Sequence, residues 1–358
     1  MRIIKSFLFG GVAFILTLFV CELFIRTAHI ANVSSTEVYE EIGRGRRKNL
    51  RYVYFNEGFG IGQYNKFGYI GEPHPFEKPA NTIRVALMGD SYVESLQVFE
   101  RDYFGNIAES ILKDQYPQTQ IELLNFGRGN SDIGDLYVLH TNFASRFNPD
   151  YVVYMLAEAD LTPRYLDPVR PKTILDGDSL VIFQDFANSE LETYQKTKFL
   201  IHNSAFLNML NTCRKKSKTV PIAATLLDKV YTWIYPSYEA PGEDSAQSPL
   251  LALNPVTDSI LASLNPSQVV FVNRTDQPLP QVFVDKCTAQ GFYYHDLSMP
   301  LNQMKESGIH PVKWKISGQT GHWNHAAHKV VGRDMAKVIG SLLEKNKRIS
   351  LYSNSRGN

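Results

Sequence analysis

Ser91 lies at a point in the sequence where a serine hydroxyl could act as a nucleophile. An apolar run over residues 83–88 stops at Gly89, and Asp90 and Ser91 follow directly. This order predicts a buried strand that turns into a helix at Ser91, where backbone N–H groups and the helix dipole favour a developing negative charge. A nucleophile needs such donors for its oxyanion. The ordinary alternative is a turn with a helix cap, because Asp and Ser are common in both.

Polar residues at three further points in the chain could share a site with Ser91. Residues 125–130 follow a second apolar run, residues 157–160 follow a third, and residues 321–328 open the last predicted helix. Ligands of open α/β sheets bind outside the carboxyl ends of the strands. We therefore expect these segments, including the late histidine His322, to converge on one crevice.

Short apolar runs alternate along the chain with segments of helical periodicity. This alternation predicts the strands and helices that form the crevice. Strands alternating with helices of about a dozen residues form βαβ units. The fold class is therefore α/β, as a three-layer α/β/α domain with a mostly parallel five-stranded sheet. The predicted strands lie near 83–88, 121–126, 151–156, 268–273 and 292–297. The predicted helices cover 102–115, 133–147, 190–216, 280–290 and a last one that Asn324 caps and that runs to about residue 343.

The N-terminal segment predicts a signal anchor, that is, a transmembrane helix over residues 1–26. Residues 6–21 carry no charge, and about 20 apolar residues span a bilayer when flanking charges such as Lys5 and Glu22 lie at its interfaces. A cleaved signal peptide is the alternative, although no small-x-small cleavage site follows the apolar core closely. Arg2 and Lys5 favour a cytoplasmic N-terminus, which places the domain on the periplasmic or extracellular side.

The remainder of the chain divides by composition into three further parts. Residues 27–82 contain Gly-x-Gly turns and prolines and predict an irregular juxtamembrane lead-in. Residues 83–343 form the α/β domain, with an excursion over about 165–265 that begins near a hairpin at 173–182. Residues 344–358 form a polar tail.

Charge and cysteine content argue against several classes of function. The formal net charge of the 358 residues is +1, which gives no electrostatic support for nucleic-acid binding. No C-x-x-C spacing occurs, which argues against a cysteine metal site or a redox motif of that kind. Within the domain, a disulfide could join only Cys213 and Cys287.

Histidines at every third position near the C-terminus raise the question of a metal site. His322, His325 and His328 follow one another at this spacing, but on a helix the first and last point about 240° apart. No cysteine or carboxylate completes a ligand set. We therefore expect no metal and no cofactor.

The ordered blocks resemble the SGNH (GDSL) hydrolases, especially their membrane-anchored extracytoplasmic members, which carry His-Trp-Asn near the C-terminus. The resemblance covers roughly residues 65–343 and includes the segment Asn-Lys-Phe-Gly at 65–68. It implies that Ser91 is the nucleophile, with its own N–H as one oxyanion donor, and that His322 is the general base. A serine hydroxyl requires such an imidazole because it is a poor nucleophile at its free pKa.

Three departures from the family pattern affect the remaining site residues. The second block has Asn130 where a glycine is usual, with Gly127 and Gly129 before it, and these three are the candidates for oxyanion or substrate contacts. The third block has Ala159 in place of the usual asparagine. Thr320 and Gln319 occupy the positions of the acid that orients the histidine.

Two aspartates could replace the missing acid, and two functions remain open. Asp160 and Asp296 both follow predicted strands, although the pattern favours a cap or turn role for each. The first function is a membrane-anchored serine esterase or O-acyltransferase that acts on an ester, with acetyl favoured, of a glycan or similar substrate, with or without a membrane-bound acyl-transfer partner. The alternative is a catalytically impaired binding module for a glycan or a membrane partner.

Overall fold

The computed structural model describes residues 2–28, 30–31, 33–184, 203–216 and 252–355. The chain divides into two compact units. One comprises residues 1–37 and 187–246, and the other comprises residues 38–186 and 247–358.

Helices and strands are numbered here in chain order. The helices are α1 (Arg2–Thr27), α2 (Ser91–Glu94), α3 (Phe104–Gln115), α4 (Ile133–Asn142), α5 (Ala205–Lys216), α6 (Pro255–Ser263), α7 (Gln281–Ala289), α8 (Ser298–Glu306) and α9 (His325–Ser355). The strands are β1 (Thr36–Tyr39), β2 (Gly43–Arg46), β3 (Arg51–Tyr54), β4 (Gly60–Gln63), β5 (Thr82–Gly89), β6 (Gln120–Gly127), β7 (Tyr151–Leu156), β8 (Lys172–Asp176), β9 (Ser179–Phe183), β10 (Val269–Asn273) and β11 (Tyr293–Asp296).

The first unit contains α1 and α5. Residues Ile4–Thr27 are long and apolar enough to cross a membrane, with a mean hydropathy of 2.4, and only 6% of their most apolar stretch is buried. Both a membrane anchor and a signal sequence have these properties. At the C-terminal end of α1, Glu22 accepts hydrogen bonds from the N–H groups of Ala205 and Phe206, each at 2.8 Å. A carboxylate at this position satisfies N–H groups that the first turn of α5 leaves without helical partners.

The second unit is built on a five-stranded sheet in the order β11-β10-β7-β5-β6. Every neighbouring pair in it is parallel. Each predicted strand of this sheet is present to within one or two residues. The α/β fold class is therefore confirmed, and the carboxyl ends of β5, β6 and β7 lie side by side.

Helices cover both faces of this sheet, which makes three layers. One face packs against α3, α8 and α9 through a core that includes Leu87, Phe104 and Trp323. The other face packs against α4, α6 and α7 through a core that includes Met88, Phe126 and Phe271. The alternation of Leu87 and Met88 between the two cores follows from the period of two along a strand.

The hairpin predicted at 173–182 is confirmed as β8 and β9. Asp176 pairs with Ser179 across a two-residue turn in which Gly177 has a φ of +59°. Residues 190–202 of the predicted helix 190–216 lie outside the described residues, as does much of the excursion predicted at 165–265. Cys287 is a buried free thiol, and the Cys213 side chain is not among those described.

The structure differs from the sequence-based expectations in the lead-in, in one predicted helix and in the C-terminal tail, and it contains two helices without a predicted counterpart, α6 and α8. The lead-in predicted to be irregular contains β1–β4, whose four-residue length and glycine content hide the alternation of a strand. The helix predicted over 133–147 is α4 only to Asn142 and then a short 3₁₀ turn. The predicted polar tail continues α9 to Ser355, because no glycine or proline interrupts it before residue 357.

Arg84 at the amino end of β5 is a buried cation that fixes the lead-in to the sheet. Its side chain is fully buried. Its Nε donates to Glu122 at 2.6 Å, and its Nη1 donates to the carbonyl oxygens of Phe147 and Phe76 at 2.9 and 3.1 Å. A buried charge requires such partners because it has lost its hydration.

Replacing Glu122 with alanine should therefore destabilise the fold strongly. The buried guanidinium would lose its carboxylate, which lowers the free energy of unfolding by about 3–5 kcal/mol. Urea unfolding in detergent, followed by tryptophan fluorescence, would measure this loss. The control is Lys113→Ala, which removes an exposed pair with Glu109 and should cost at most about 1 kcal/mol. Equal losses in the two variants would contradict the role given to Arg84.

Candidate active site

The turn from β5 into α2 places Ser91 at the first position of a helix. Asp90 caps this helix, because its Oδ1 accepts a hydrogen bond from the Tyr92 N–H at 2.9 Å. Gly89 is required by close packing, since a Cβ there would lie 2.4 Å from the Val93 side chain. Among the residues that the structure describes, none accepts a hydrogen bond from the Ser91 N–H.

The end of β6 packs directly on the backbone of α2. A Cβ at Gly127 would lie 2.0 Å from the Glu94 nitrogen, so only glycine allows this approach. The next residue, Arg128, donates its N–H to the Gly89 carbonyl oxygen at 2.9 Å. These contacts fix the second block against the helix that carries Ser91.

His322 lies immediately before α9, in a loop with several fixed backbone contacts. The Trp314 indole donates to the His322 carbonyl oxygen at 3.0 Å, and the Gly321 N–H donates to Val312 at 2.9 Å. The Tyr92 ring lies beside the imidazole, with centroids 5.0 Å apart. In this position the His322 Nε2 is 2.7 Å from the Ser91 Oγ.

The carboxylate that contacts His322 belongs to Glu57, which sequence reasoning did not identify. Glu57 lies in the loop between β3 and β4, and its Oε1 is hydrogen-bonded to the His322 Nδ1. The same oxygen accepts the His322 N–H at 3.3 Å, while Oε2 accepts the Tyr54 hydroxyl at 2.9 Å. The Ser317 hydroxyl donates to the Glu57 carbonyl oxygen at 2.7 Å. Both the side chain and the backbone of Glu57 are therefore fixed.

Glycines explain how the β3–β4 loop comes so close to the histidine. A Cβ at Gly321 would lie 2.7 Å from the Glu57 Cγ, and one at Gly58 would lie 2.5 Å from the Trp314 ring. A Cβ at Gly60 would lie only 2.2 Å from the Leu96 carbonyl oxygen. A side chain at Gly321 would therefore collide with Glu57, and side chains at Gly58 and Gly60 would displace the loop from Trp314 and Leu96.

The three side chains form one directed chain of hydrogen bonds. An ionised carboxylate only accepts, so the proton on the imidazole belongs to Nδ1. Nε2 then accepts a hydrogen bond from the Ser91 hydroxyl. Burial raises the pKa of Glu57, but hydrogen bonds from His322, from its own backbone and from Tyr54 outweigh this effect and lower the pKa to about 2. Glu57 is therefore ionised at neutral pH.

Asp160 and Asp296, predicted as substitute acids, do not contact His322 in the structure, which corrects that expectation. Asp160 accepts hydrogen bonds from the Ala157 N–H at 2.9 Å and from Arg274 at 3.0 Å. Asp296 accepts hydrogen bonds from the Asn273 amide at 2.7 Å and from the Ser298 N–H at 2.8 Å. Both carboxylates serve local backbone and side-chain partners at the ends of their strands.

The candidate oxyanion residues of the second block have different surroundings. The Gly127 N–H donates to the Asn125 side chain at 2.8 Å and is therefore occupied. Gly129 adjoins Ser91, since a Cβ there would lie 3.8 Å from the Ser91 Cβ, but its N–H donates to Glu94 at 3.2 Å. Asn130 is exposed, has a φ of +58°, and its carbonyl oxygen accepts from Arg170 at 2.9 Å.

Comparisons with known proteins gave similarity to solved structures only. No protein-family model and no curated protein sequence matches the chain. A two-domain esterase active on acetylated mannans is 14% identical over 74% of this chain, with a TM-score of 0.34, and the chain spans about half (49%) of its length. An α/β hydrolase from the Lake Arreo metagenome is 11% identical with a TM-score of 0.37, over 73% of this chain and 96% of that one. An acetyl xylan esterase from Geobacillus stearothermophilus is 11% identical with a TM-score of 0.36, over 72% and 94%. A function for this chain therefore rests on the geometry of its site.

The lowered pKa of Glu57 predicts a stability difference that depends on pH. A carboxyl whose pKa falls from 4.5 to about 2 on folding stabilises the fold above pH 4.5, and this contribution is lost as the pH falls towards 2. Glu57→Gln should therefore lower the free energy of unfolding at pH 7, by about 1–3 kcal/mol. The difference from wild type should shrink at pH 3.5 and disappear near pH 2. Urea unfolding at each pH would measure it, and a difference independent of pH would contradict the assignment.

Proposed function

We propose that this protein is a membrane-anchored serine esterase in which Ser91, His322 and Glu57 form the catalytic triad. The observation that supports this proposal is the continuous chain of hydrogen bonds from the Ser91 Oγ through the imidazole to the Glu57 carboxylate. The Ser91–His322 distance of 2.7 Å lies within the range required for proton transfer. The nucleophile, the base and the group that orients the base are thus present together.

In the proposed reaction, the Ser91 Oγ attacks the carbonyl carbon of an ester while its proton moves to the His322 Nε2. The tetrahedral intermediate collapses, the bond to the alcohol oxygen breaks, and the alcohol leaves with the proton from Nε2. Water then attacks the acyl-Ser91 ester and gives a proton to Nε2. The carboxylic acid leaves and the Ser91 Oγ recovers this proton. Glu57 remains ionised throughout and stabilises the imidazolium that forms twice in the cycle.

The same acyl-enzyme would serve transfer to a sugar. If a sugar hydroxyl takes the place of water in the second step, the product is a new ester and the enzyme is an O-acyltransferase. We propose a glycan or similar ester as substrate, with acetyl as the acyl group. The support is the resemblance of the sequence blocks to the membrane-anchored SGNH hydrolases and the apolar span at Ile4–Thr27. The domain would act on the periplasmic or extracellular side.

The position of Glu57 also bears on the alternative of a non-catalytic binding module. Three residues favour that alternative: Ala159 stands where an asparagine is usual, and Thr320 and Gln319 stand where the orienting acid is usual. Glu57 makes the contact to His322 that such an acid would make. The observation therefore supports an enzyme over a binding module.

Loss of the Ser91 hydroxyl should abolish ester hydrolysis. The full chain, purified in detergent, should hydrolyse 4-nitrophenyl acetate and be labelled by a fluorophosphonate. Ser91→Ala should not be labelled, and its kcat should fall by about 10⁴-fold or more. Equal rates for wild type and Ser91→Ala, with no labelling of either, would overturn the esterase proposal in favour of a binding module.

The assignment of the acid can be tested separately. Glu57→Gln removes the charge that orients and stabilises the imidazole, so kcat should fall by about 10²–10⁴-fold with little change in KM. Asp296→Asn is the matched control, because Asp296 is also a carboxylate at the end of a strand but contacts Asn273 instead of His322. Its kcat should remain within about threefold of wild type. If Asp296→Asn were the more damaging substitution, the assignment of Glu57 would be wrong.

A further inference from the structure

Glu94 creates an electrostatic problem beside the nucleophile. It lies on α2 three residues after Ser91, its side chain is only 4% exposed, and its Oε2 accepts the Gly129 N–H at 3.2 Å. That N–H is one of the amides expected to stabilise the oxyanion. A carboxylate in this place both occupies the donor and repels a negative charge that develops at the ester carbonyl oxygen.

Arg46 on β2 neutralises this carboxylate through two hydrogen bonds. Its Nε is 2.5 Å from the Glu94 Oε1, and its Nη2 is 2.8 Å from the Oε2. The paired arrangement fixes the plane of the guanidinium. Burial lowers the pKa of Arg46, but the charge of Glu94 outweighs this and raises it above its usual value. The guanidinium is therefore a permanent and oriented positive charge.

Gly129 shows that Arg46 and Ser91 face the same small space. The point where a Gly129 Cβ would stand is 3.8 Å from the Ser91 Cβ, 3.3 Å from the Glu94 Oε2 and 3.8 Å from the Arg46 Nη2. Glycine leaves this space open, and the Arg46 side chain is 27% exposed. The Ser91 Cβ and the Arg46 Nη2 are therefore both 3.8 Å from one point beside the second block.

The third strand of the site provides no side-chain donor of its own. Ala159 occupies the position after β7 where the resemblance would place an asparagine amide. Asp160 beside it is already bound to Arg274 at 3.0 Å. The Gly127 and Gly129 N–H groups of the second block are thus occupied and the side-chain amide of the third block is missing, while Asn130 is exposed.

We propose that the Arg46 guanidinium, held in place by Glu94, stabilises the oxyanion formed at Ser91 in place of the absent side-chain amide. The inference rests on the esterase activity proposed above and adds to it a group that acts on the reacting oxygen. Because the oxyanion exists only in the intermediate and its transition states, Arg46 contributes to kcat and leaves KM nearly unchanged.

The test compares two variants that differ only at Arg46. Glu94→Gln removes the buried charge, so that R46M/E94Q does not leave an unpaired carboxylate in the interior. With 4-nitrophenyl acetate as substrate, kcat of R46M/E94Q should be at least tenfold below that of E94Q, with KM within threefold. The matched control is R44M/D167N. Arg44 lies on the same strand and binds Asp167 at 2.7 Å, and its removal with that partner should leave kcat within threefold of wild type.

The outcomes separate this inference from the function on which it rests. A kcat ratio below ten between E94Q and R46M/E94Q, or a loss confined to KM, overturns the role of Arg46 while Ser91-dependent hydrolysis by the wild type preserves the esterase. Absence of hydrolysis by the wild type overturns both. If R46M/E94Q does not fold, Arg46→Lys decides: it retains a charge opposite Glu94 but loses the fixed guanidinium plane. Its kcat should fall at least threefold, and an unchanged kcat overturns the inference.

Discussion

The hydrogen bond between Glu57 and His322 is the contact on which the arrangement of the site depends. It joins residues that are 265 positions apart in the chain. This hydrogen bond joins the β3–β4 loop to the loop before α9. The helix that begins at Ser91 lies beside both loops, because His322 also contacts Ser91. Tyr54 and Ser317 hold Glu57 from either side. Because Glu57 determines which imidazole nitrogen carries the proton, the same contact fixes both the shape of the site and the direction of its hydrogen bonds.

Buried ion pairs surround this contact at the carboxyl edge of the sheet. Arg274 bridges Asp90 and Asp160 at 2.7 and 3.0 Å, and its guanidinium lies over the Tyr92 ring at 4.4 Å. Burial raises the pKa of Asp90, which the neighbouring Arg274 opposes. Desolvated charges are costly unless they are paired. The pairs therefore hold Asp90, which caps the helix of Ser91, in a single arrangement.

The fold could be predicted from sequence much more fully than the site. Long apolar strands and amphipathic helices have a clear period, so the sheet and most of its helices follow from pattern alone. Ser91 and His322 lie in ordered blocks, and the structure brings them together. Glu57 gives no comparable pattern, because it stands in a glycine-rich segment whose strands are four residues long. Glu57 meets His322 because of tertiary contacts at Gly58 and Gly321. A local sequence pattern carries no information about such contacts.

The position of Glu57 before the first strand of the sheet also has a consequence for how the proposed active site forms. A polypeptide synthesised from its N-terminus presents the carboxylate early and the imidazole only after more than 260 further residues. Contacts of such long sequence separation form late, because the intervening chain must first be ordered. A partly synthesised chain therefore contains the turn that carries Ser91 but not His322, the base of the proposed triad. Likewise, a recombinant fragment that begins at residue 83, the domain boundary that the sequence suggests, would retain nearly the whole central sheet but would lack Glu57, the acid of the proposed triad.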